Sequence, residues 1–169
     1  HAIAWARKED LHGRLTDCSG EGFAESMLIS CPSFIRMAKL AEPLMDKGGS
    51  LTTLSYYGAE KVVDHYNVMG PVKAALEASV RYLAHEHGGK AIRVNAISAG
   101  AVATRAASGI EHFDELLNET VRKAPLRRTV DACEVGRTAL MLASDYTSAI
   151  TGETLYVDAG FHIEGMVFH

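Results

Sequence analysis

The spacing of apolar and polar residues predicts short strands that alternate with helices along most of the chain. Short, apolar, partly β-branched segments are typical of buried strands, and here they are residues 50–55 (SLTTLS), 91–97 (AIRVNAI) and 153–157 (ETLYV). Apolar residues recur at helical spacing in residues 23–45, 66–87 and 131–144. Asp131 and Glu134 have the spacing of a capping box, which supports a helix start there.

Other stretches give weaker signals. Pro32 and Pro43 are weak points of the first helix, because proline removes a backbone donor, and Gly48 is suited to end that helix in a left-handed conformation. The remaining predictions are a buried strand end over residues 2–5, a loop over residues 9–22, and a partly helical segment over residues 104–124.

Strands that alternate with helices imply right-handed crossovers and a parallel sheet, so the expected fold class is α/β. In such sheets the ligand crevice lies beyond the carboxyl ends of the strands, here at residue 56 onward, residues 98–104 and residue 159 onward. A dinucleotide-binding sheet also needs a Gly-rich turn after its first strand, and the sequence has none. Either the fold differs, or its first half lies outside this chain.

Tyr66 and Lys73 are the first candidates for chemistry. If both lie on one helix, a spacing of seven brings their side chains to within about 20° of each other, with Met69 and Glu77 near the same stripe. A phenol donates a strong hydrogen bond, and a nearby ammonium favours negative charge, so the pair suits the stabilisation of an enolate. By spacing alone, such a pair is more often ordinary surface.

Composition narrows the class of protein. The chain is 47% hydrophobic and 22% charged with a formal charge of −4, which favours a globular protein and excludes a basic nucleic-acid footprint. No apolar run is long enough to span a membrane. The three cysteines are scattered, which fits a reduced cytoplasmic interior, and the eight histidines show no metal-ligand spacing, so no metal site is expected.

Two longer motifs carry a resemblance. Residues 73–100 (KAALEASVRYLAHEHGGKAIRVNAISAG) resemble the short-chain dehydrogenase/reductase superfamily, whose usual Tyr-x-x-x-Lys is broken here by Met69. Tyr56, Tyr66 and Lys73, within SYYGAEKVVDHYNVMGPVKAALEASVRY, are similar to the bacterial enoyl-acyl-carrier-protein reductases. That similarity continues through RVNAISAG, TRAASGI and ITGETLYVDAGF. Tyr57 and Lys61 also form a Tyr-x-x-x-Lys, but we interpret Lys61 as solvated.

The resemblance implies a fold and an activity. The fold would be a Rossmann-like doubly wound parallel sheet, with residues 1–169 forming a single domain that is the C-terminal portion and lacks the first βαβ units. The activity would be reduction of the 2,3 double bond of trans-2-enoyl thioesters in fatty-acid biosynthesis, using NADH, with NADPH possible as the cofactor. Acyl carrier protein would carry the substrate, and a cytoplasmic homotetramer would assemble through residues 23–45 and 66–87.

The resemblance also assigns roles to residues. Tyr66 would hydrogen-bond the thioester carbonyl, Lys73 would bind the nicotinamide ribose, and Tyr56 would line the substrate site, so these three are the catalytic candidates. The implied cofactor contacts are Ile3, Lys73, Val102, Thr104 and Ala106. The implied substrate contacts are Ala6, Tyr56, Tyr66 and Met69. By residue type alone, Ile3 and Ala6 would be core residues and Thr104 a helix cap.

Two alternatives remain open at this point. One is a 3-ketoacyl or other carbonyl reductase of the same superfamily, which the spacing of Tyr66 and the presence of Tyr56 disfavour. The other is a catalytically incompetent fragment that acts only in assembly, because the chain carries the substrate-side residues without a Gly-rich turn.

Overall fold

The computed structural model describes residues 1–103 and 112–165 of the chain. The helices within these residues are α1 (Lys8–Leu11), α2 (Gly20–Ser30), α3 (Pro32–Ala41), α4 (Met69–Gly88), α5 (Phe113–Lys123) and α6 (Ala132–Ala143). The strands are β1 (Gly49–Ser55), β2 (Ile92–Ala99) and β3 (Thr154–Val157). Short 3-10 turns lie at Leu15–Asp17, Glu42–Leu44, Tyr57–Ala59, Asp145–Thr147 and Phe161–Ile163.

The three described strands form one parallel sheet in the order β1-β2-β3. Gly49 pairs with Ile92 at one end of β1, and Ala99 pairs with Val157 at the end of β3. All three strands therefore end at the same edge of the sheet. The predicted strands and their parallel arrangement are confirmed, with boundaries that differ by one or two residues.

Helices cover both faces of this sheet. Leu51 packs with the buried core that α3 and α4 share with β2, whereas the Ser50 hydroxyl donates to the Leu142 carbonyl of α6 at 2.8 Å. On the next strand Val94 faces that same core, and Arg93 donates to the Leu142 carbonyl at 2.8 Å. Because neighbouring side chains of a strand point to opposite faces, α4 and α6 lie on opposite sides. The fold is the expected α/β, Rossmann-like, doubly wound arrangement.

The predicted helix over residues 23–45 is two helices. Pro32 begins α3 at a position where its missing N–H removes no helical hydrogen bond, and Pro43 lies in the 3-10 turn that follows. The predicted loop over residues 9–22 is partly wrong, because α1 overlaps its start and α2 begins before its end. Ser19 caps α2 by accepting from the Gly22 N–H at 2.9 Å.

The predicted helix over residues 66–87 begins later than its apolar spacing indicated. Tyr66 lies three residues before α4, in a turn where His65 and Asn67 have φ of 62° and 41°. The carbonyl of Tyr66 accepts from the N–H of Met69, the first residue of α4, at 3.1 Å. The interpretation that Tyr66 and Lys73 share a helix face is therefore wrong, because Tyr66 is not part of the helix.

Residues 2–5 do not form the predicted buried strand. Ile3 and Trp5 are 47% and 40% exposed, and no strand is assigned there. His1 alone follows the edge of β1: its amino group donates to the Thr52 carbonyl at 2.7 Å, and its carbonyl accepts from the Leu54 N–H at 3.2 Å.

The C-terminal helices agree better with the sequence. The capping box of Asp131 and Glu134 is present at the start of α6, with both reciprocal hydrogen bonds formed. The helix α5 confirms the helical part of the segment predicted over residues 104–124, and residues 104–111 lie outside the part of the chain that the structure describes.

Candidate active site

A cavity of about 690 Å³ opens at the carboxyl ends of β1 and β2. One side is formed by Ser55, Tyr56, Tyr66, Met69 and Lys73, which we call the β1–α4 wall. Another part of the lining is formed by Phe113, Leu116, Val135, Gly136 and Ala139, which we call the α5–α6 wall. Ala99 at the end of β2 and the three residues that follow it also line the cavity. The crevice is therefore at the edge of the sheet where the alternation of strands and helices predicted it.

Lys73 places a cation at this cavity. Its side chain, on the second turn of α4, is buried, and its ammonium donates to the Leu54 carbonyl at 2.8 Å. Burial lowers the pKa of Lys73 from its ordinary 10.5 to about 8, because a charged group loses solvation there. An ammonium has three donors, so two remain for oxygen atoms of a ligand in the cavity.

Tyr66 is held at the cavity by its neighbours rather than by a helix. Its ring meets the Tyr56 ring edge to face, with centroids 4.8 Å apart. It also covers Gly58: a Cβ on that glycine would lie 2.4 Å from Cδ1 of Tyr66. Only a residue without a side chain leaves room for the ring in this position.

Burial raises the pKa of both phenols, which are already neutral at physiological pH by their ordinary pKa of 10. It raises the pKa of Tyr56 to about 12. It also raises the pKa of Tyr66 above the ordinary value, and the nearby Tyr56 and Glu77 add to that shift. Both side chains therefore remain neutral phenols at physiological pH. A neutral phenol is a hydrogen-bond donor, which is the form required to polarise a carbonyl oxygen.

The turn after β2 is held close to the end of β3. A Cβ on Gly100 would lie 2.9 Å from the Cα of Asp158, so a side chain there would push the two segments apart. Residues 99–102 line the cavity. The remaining donors of the buried Lys73 ammonium suit hydroxyl oxygens of a ligand, such as those of the ribose of a dinucleotide.

The structure brings most of the predicted site residues together. Ala6, Met69 and Val102 line the cavity together with Tyr56, Tyr66 and Lys73. Ile3 does not line it and is half exposed, and Thr104 and Ala106 lie outside the described residues. The individual roles given to these residues stay predictions.

Sequence reasoning missed two features of the site. The first is a hydrogen bond from the hydroxyl of Ser55, which lines the cavity, to Oε1 of the buried Glu77, whose position near Lys73 the helical spacing had indicated. The α6 contribution was also missed, although its signal was present: the cavity-lining residues recur at helical spacing, at Ala132, Val135, Gly136 and Ala139.

Lys61, in the competing Tyr-x-x-x-Lys, is exposed, as the sequence predicted. Within residues 1–103 and 112–165, no cluster of three His, Cys, Asp or Glu could hold a metal ion. The helices in those same ranges are too short or too polar for any of them to cross a membrane.

Comparison with known proteins agrees with this geometry. The profile of the family described as Enoyl-(Acyl carrier protein) reductase matches residues 1–162. The Rhizobium meliloti protein named enoyl-[acyl-carrier-protein] reductase [NADH] 1 is 55% identical over 98% of this chain. A Nostoc protein, enoyl-[acyl-carrier-protein] reductase [NADH] FabI, is 51% identical over the same share.

Solved structures give the same result. The Anaplasma phagocytophilum enoyl-acyl-carrier-protein reductase in complex with NAD superposes on 98% of this chain with a TM-score of 0.94 and 56% identity. The Bacillus cereus enzyme with NADP⁺ and indole naphthyridinone superposes on 98% with a TM-score of 0.96 and 48% identity. The chain spans 61% of the Rhizobium protein and 63% of the Anaplasma structure. The profile match and these identities show that the chain belongs to the enoyl-acyl-carrier-protein reductase family.

Proposed function

We propose that the protein reduces the 2,3 double bond of trans-2-enoyl thioesters with NADH. The observation that carries this proposal is the presence of a neutral phenol, Tyr66, and a buried ammonium, Lys73, at one largely apolar cavity. The proposal is further supported by relatives that are named as NADH-dependent enoyl-acyl-carrier-protein reductases.

Each group has a part in this reaction. NADH, when bound, supplies a hydride to the β-carbon of the enoyl thioester. Negative charge then develops on the thioester oxygen, where the Tyr66 hydroxyl donates a hydrogen bond and the Lys73 ammonium favours the charge. A proton added at the α-carbon completes the reduction. The apolar α5–α6 wall excludes water, which strengthens both interactions.

The cofactor contacts belong to the same proposal. The free donors of Lys73 bind ribose hydroxyls, and backbone groups near Val102 bind the nicotinamide end. Thr104 and Ala106 follow Val102 in the chain, and Ile3 serves the adenosine side. Ala6, Tyr56 and Met69 contact the thioester and acyl chain, which is consistent with their position in the lining of the cavity.

We also propose that acyl carrier protein delivers the substrate, that the protein acts in the cytoplasm, and that it assembles as a homotetramer. Large exposed apolar residues support assembly through the helices: Leu28 on α2 is 65% exposed, Leu40 on α3 is 62% and Tyr82 on α4 is 73%. NADPH remains an alternative cofactor. Sedimentation of the purified protein measures the oligomeric state.

The activity test uses two forms of the protein, because the chain spans less than two thirds of its relatives. One form is the chain itself, and the other is a chimera in which it replaces the 166 aligned residues of the Rhizobium meliloti enzyme. Each is titrated with NADH and assayed for NADH oxidation with a trans-2-enoyl thioester and with a 3-ketoacyl thioester.

We expect the chimera to prefer the enoyl substrate. A chimera that folds and binds NADH but oxidises it faster with the 3-ketoacyl thioester would make the protein a carbonyl reductase. A chain that binds no NADH, together with a folded and inactive chimera, would support the role in assembly alone.

A further inference from the structure

Glu77 is a buried acid for which the proposed reaction has no use. It lies one turn beyond Lys73 on α4 and is 6% exposed. Carboxylates are rarely buried without a partner, because loss of solvation is costly. The partner here is Ser55, whose hydroxyl donates to Glu77 Oε1 across the interface between β1 and α4.

The hydrogen bond of Glu77 is one of three contacts made by consecutive residues at the end of β1. The carbonyl of Leu54 accepts from Lys73, the hydroxyl of Ser55 donates to Glu77, and the ring of Tyr56 packs on Tyr66. A shift of this strand end would therefore disturb all three contacts. Glu77 is thereby fixed beside the site rather than free to turn toward solvent.

Glu77 and Lys73 form no direct ion pair, but they lie one turn apart on α4 and are anchored to adjacent residues of β1, Ser55 and Leu54. Burial raises the pKa of Glu77 overall, whereas Ser55, Arg81 and Lys73 act in the opposite direction. In return, Glu77 raises the pKa of Lys73 against the effect of burial. The charge of Glu77 also interacts electrostatically with three other titratable groups: Glu60 after the 3-10 turn, Tyr66 before α4 and Tyr156 on β3.

We propose that the Glu77 carboxylate, oriented by the Ser55 hydroxyl, is a positioning residue that keeps the buried Lys73 ammonium charged at the cavity that Tyr66 also lines. Without a nearby anion, burial would favour the neutral amine at physiological pH. A neutral amine would not favour negative charge on the thioester oxygen. The catalytic meaning of this electrostatic coupling depends on the proposed function, but the coupling between Glu77 and Lys73 is measurable without any substrate.

The test is an NMR titration of the Lys73 side chain in the chain carrying isotopically labelled lysine, with the signal assigned through Lys73→Met. Glu77→Gln keeps the size of the side chain and an acceptor for Ser55 but removes the charge. We expect it to lower the pKa of Lys73 by about one unit, a tenfold change in its protonation equilibrium. Glu86→Gln, the same substitution at an exposed position of α4, is the matched control and should leave the Lys73 titration unchanged.

An unchanged Lys73 titration in a folded Glu77→Gln variant would overturn the proposal. If that variant does not fold, the reciprocal measurement decides, because coupling between two sites is mutual. The Glu77 carboxyl carbon is then titrated in the wild type and in Lys73→Met. We expect Glu77 to be ionised at pH 7 in the wild type and its pKa to rise in Lys73→Met. A protonated Glu77 at pH 7, or the same Glu77 pKa in the wild type and in Lys73→Met, would contradict the coupling between Glu77 and Lys73. Either outcome leaves enoyl reduction untouched, since that activity is assayed separately.

Discussion

The two walls of the cavity are built from different interactions. In the β1–α4 wall, buried polar groups have fixed partners: Lys73 donates to the Leu54 carbonyl, and Ser55 donates to Glu77. The α5–α6 wall presents apolar side chains, and of the residues in α5 only Thr120 is fully buried. An ion pair between Arg128 and Glu134 lies at the start of α6.

The two walls therefore have different parts: the β1–α4 wall supplies hydrogen-bonding and charged groups, and the α5–α6 wall supplies an apolar surface. Hydrogen-bond donors act on a transition state only if their positions are set in advance, which the β1–α4 wall achieves through contacts between a strand end and a helix. An apolar surface needs only to exclude water and match the outline of its ligand. Changes in the β1–α4 wall should therefore affect the rate of reaction or the protonation of the site, and changes in the α5–α6 wall should have smaller effects.

The largest effect is expected from Tyr66→Phe. Removing one preorganised donor from an oxyanion site reduces kcat by about 10² to 10³. The measurement is NADH oxidation with a trans-2-enoyl thioester, in the chain itself or in the chimera, whichever is active. Tyr146→Phe, at a position after α6 that is 96% exposed, is the matched control and should retain full activity. Activity in Tyr66→Phe close to that of the control would remove the phenol from the mechanism.

The next effect concerns Lys73 and pH. Its pKa is lowered from 10.5 to about 8 in the folded protein, so between these values the unfolded chain binds more protons and stability rises with pH. We expect the wild type to gain about 3 kcal/mol relative to Lys73→Met across this range. Urea unfolding near both ends of the range measures the gain.

The control for that measurement is Lys39→Met, which removes an exposed lysine of α3. Its stability relative to the wild type should hardly depend on pH over the same range. If Lys73→Met behaved in the same way, the Lys73 ammonium would be solvated in the folded protein, and the β1–α4 wall would not differ from ordinary surface.

A pair of glycine substitutions compares the two walls directly. Gly58→Ala places a methyl group 2.4 Å from the Tyr66 ring, so the ring or the turn must move, at a cost of about 1–3 kcal/mol and with loss of activity. Gly136→Ala meets no atom within 4 Å and lies inside α6, where alanine stabilises a helix by about 1 kcal/mol.

The thermal unfolding midpoint should therefore fall in Gly58→Ala and rise in Gly136→Ala, relative to the wild type. If both substitutions destabilised the protein equally, the α5–α6 wall would be packed as tightly as the β1–α4 wall. If neither substitution lowered stability, the absence of a side chain at Gly58 would not be needed for the position of the Tyr66 ring.

Local sequence signals predicted the frame of the fold. Runs of β-branched and apolar residues identified the three strands, and the spacing of Asp131 and Glu134 identified the start of α6. These features depend on neighbours within one turn or one strand. The break at Pro32 was recognised only as a weak point, because a proline can kink a helix or begin a new one.

Sequence patterns predicted the site less well than the fold. Helical spacing placed Tyr66 and Lys73 on one face, but Tyr66 precedes α4 and is positioned by Tyr56 and Gly58. The bond from Ser55 to Glu77 joins residues 22 positions apart. Contacts of this kind arise when a strand and a helix pack, so no periodicity reports them. The resemblance to a family, rather than spacing, identified Tyr66 and Lys73 as a pair.

The smallest effect is expected from Glu119→Gln on the outer side of α5. Glu119 contacts Arg122 and Lys123 at 2.7 Å each, and all three side chains are more than a third exposed. The hydrogen bond from Arg122 and that from Lys123 lower the pKa of Glu119 from 4.5 to about 2. The stabilisation is therefore present above pH 4.5 and is lost as pH falls toward 2.

Solvent and salt screen such pairs, so the substitution should reduce the free energy of unfolding at neutral pH by less than about 1 kcal/mol. Urea unfolding at low and high salt measures this loss, and Glu115→Gln, another exposed acid of α5, is the comparison. A loss at high salt as large as that of Gly58→Ala would mean that α5 is anchored by its charges. The α5–α6 wall would then be as rigidly fixed as the β1–α4 wall, and the distinction between them would fail.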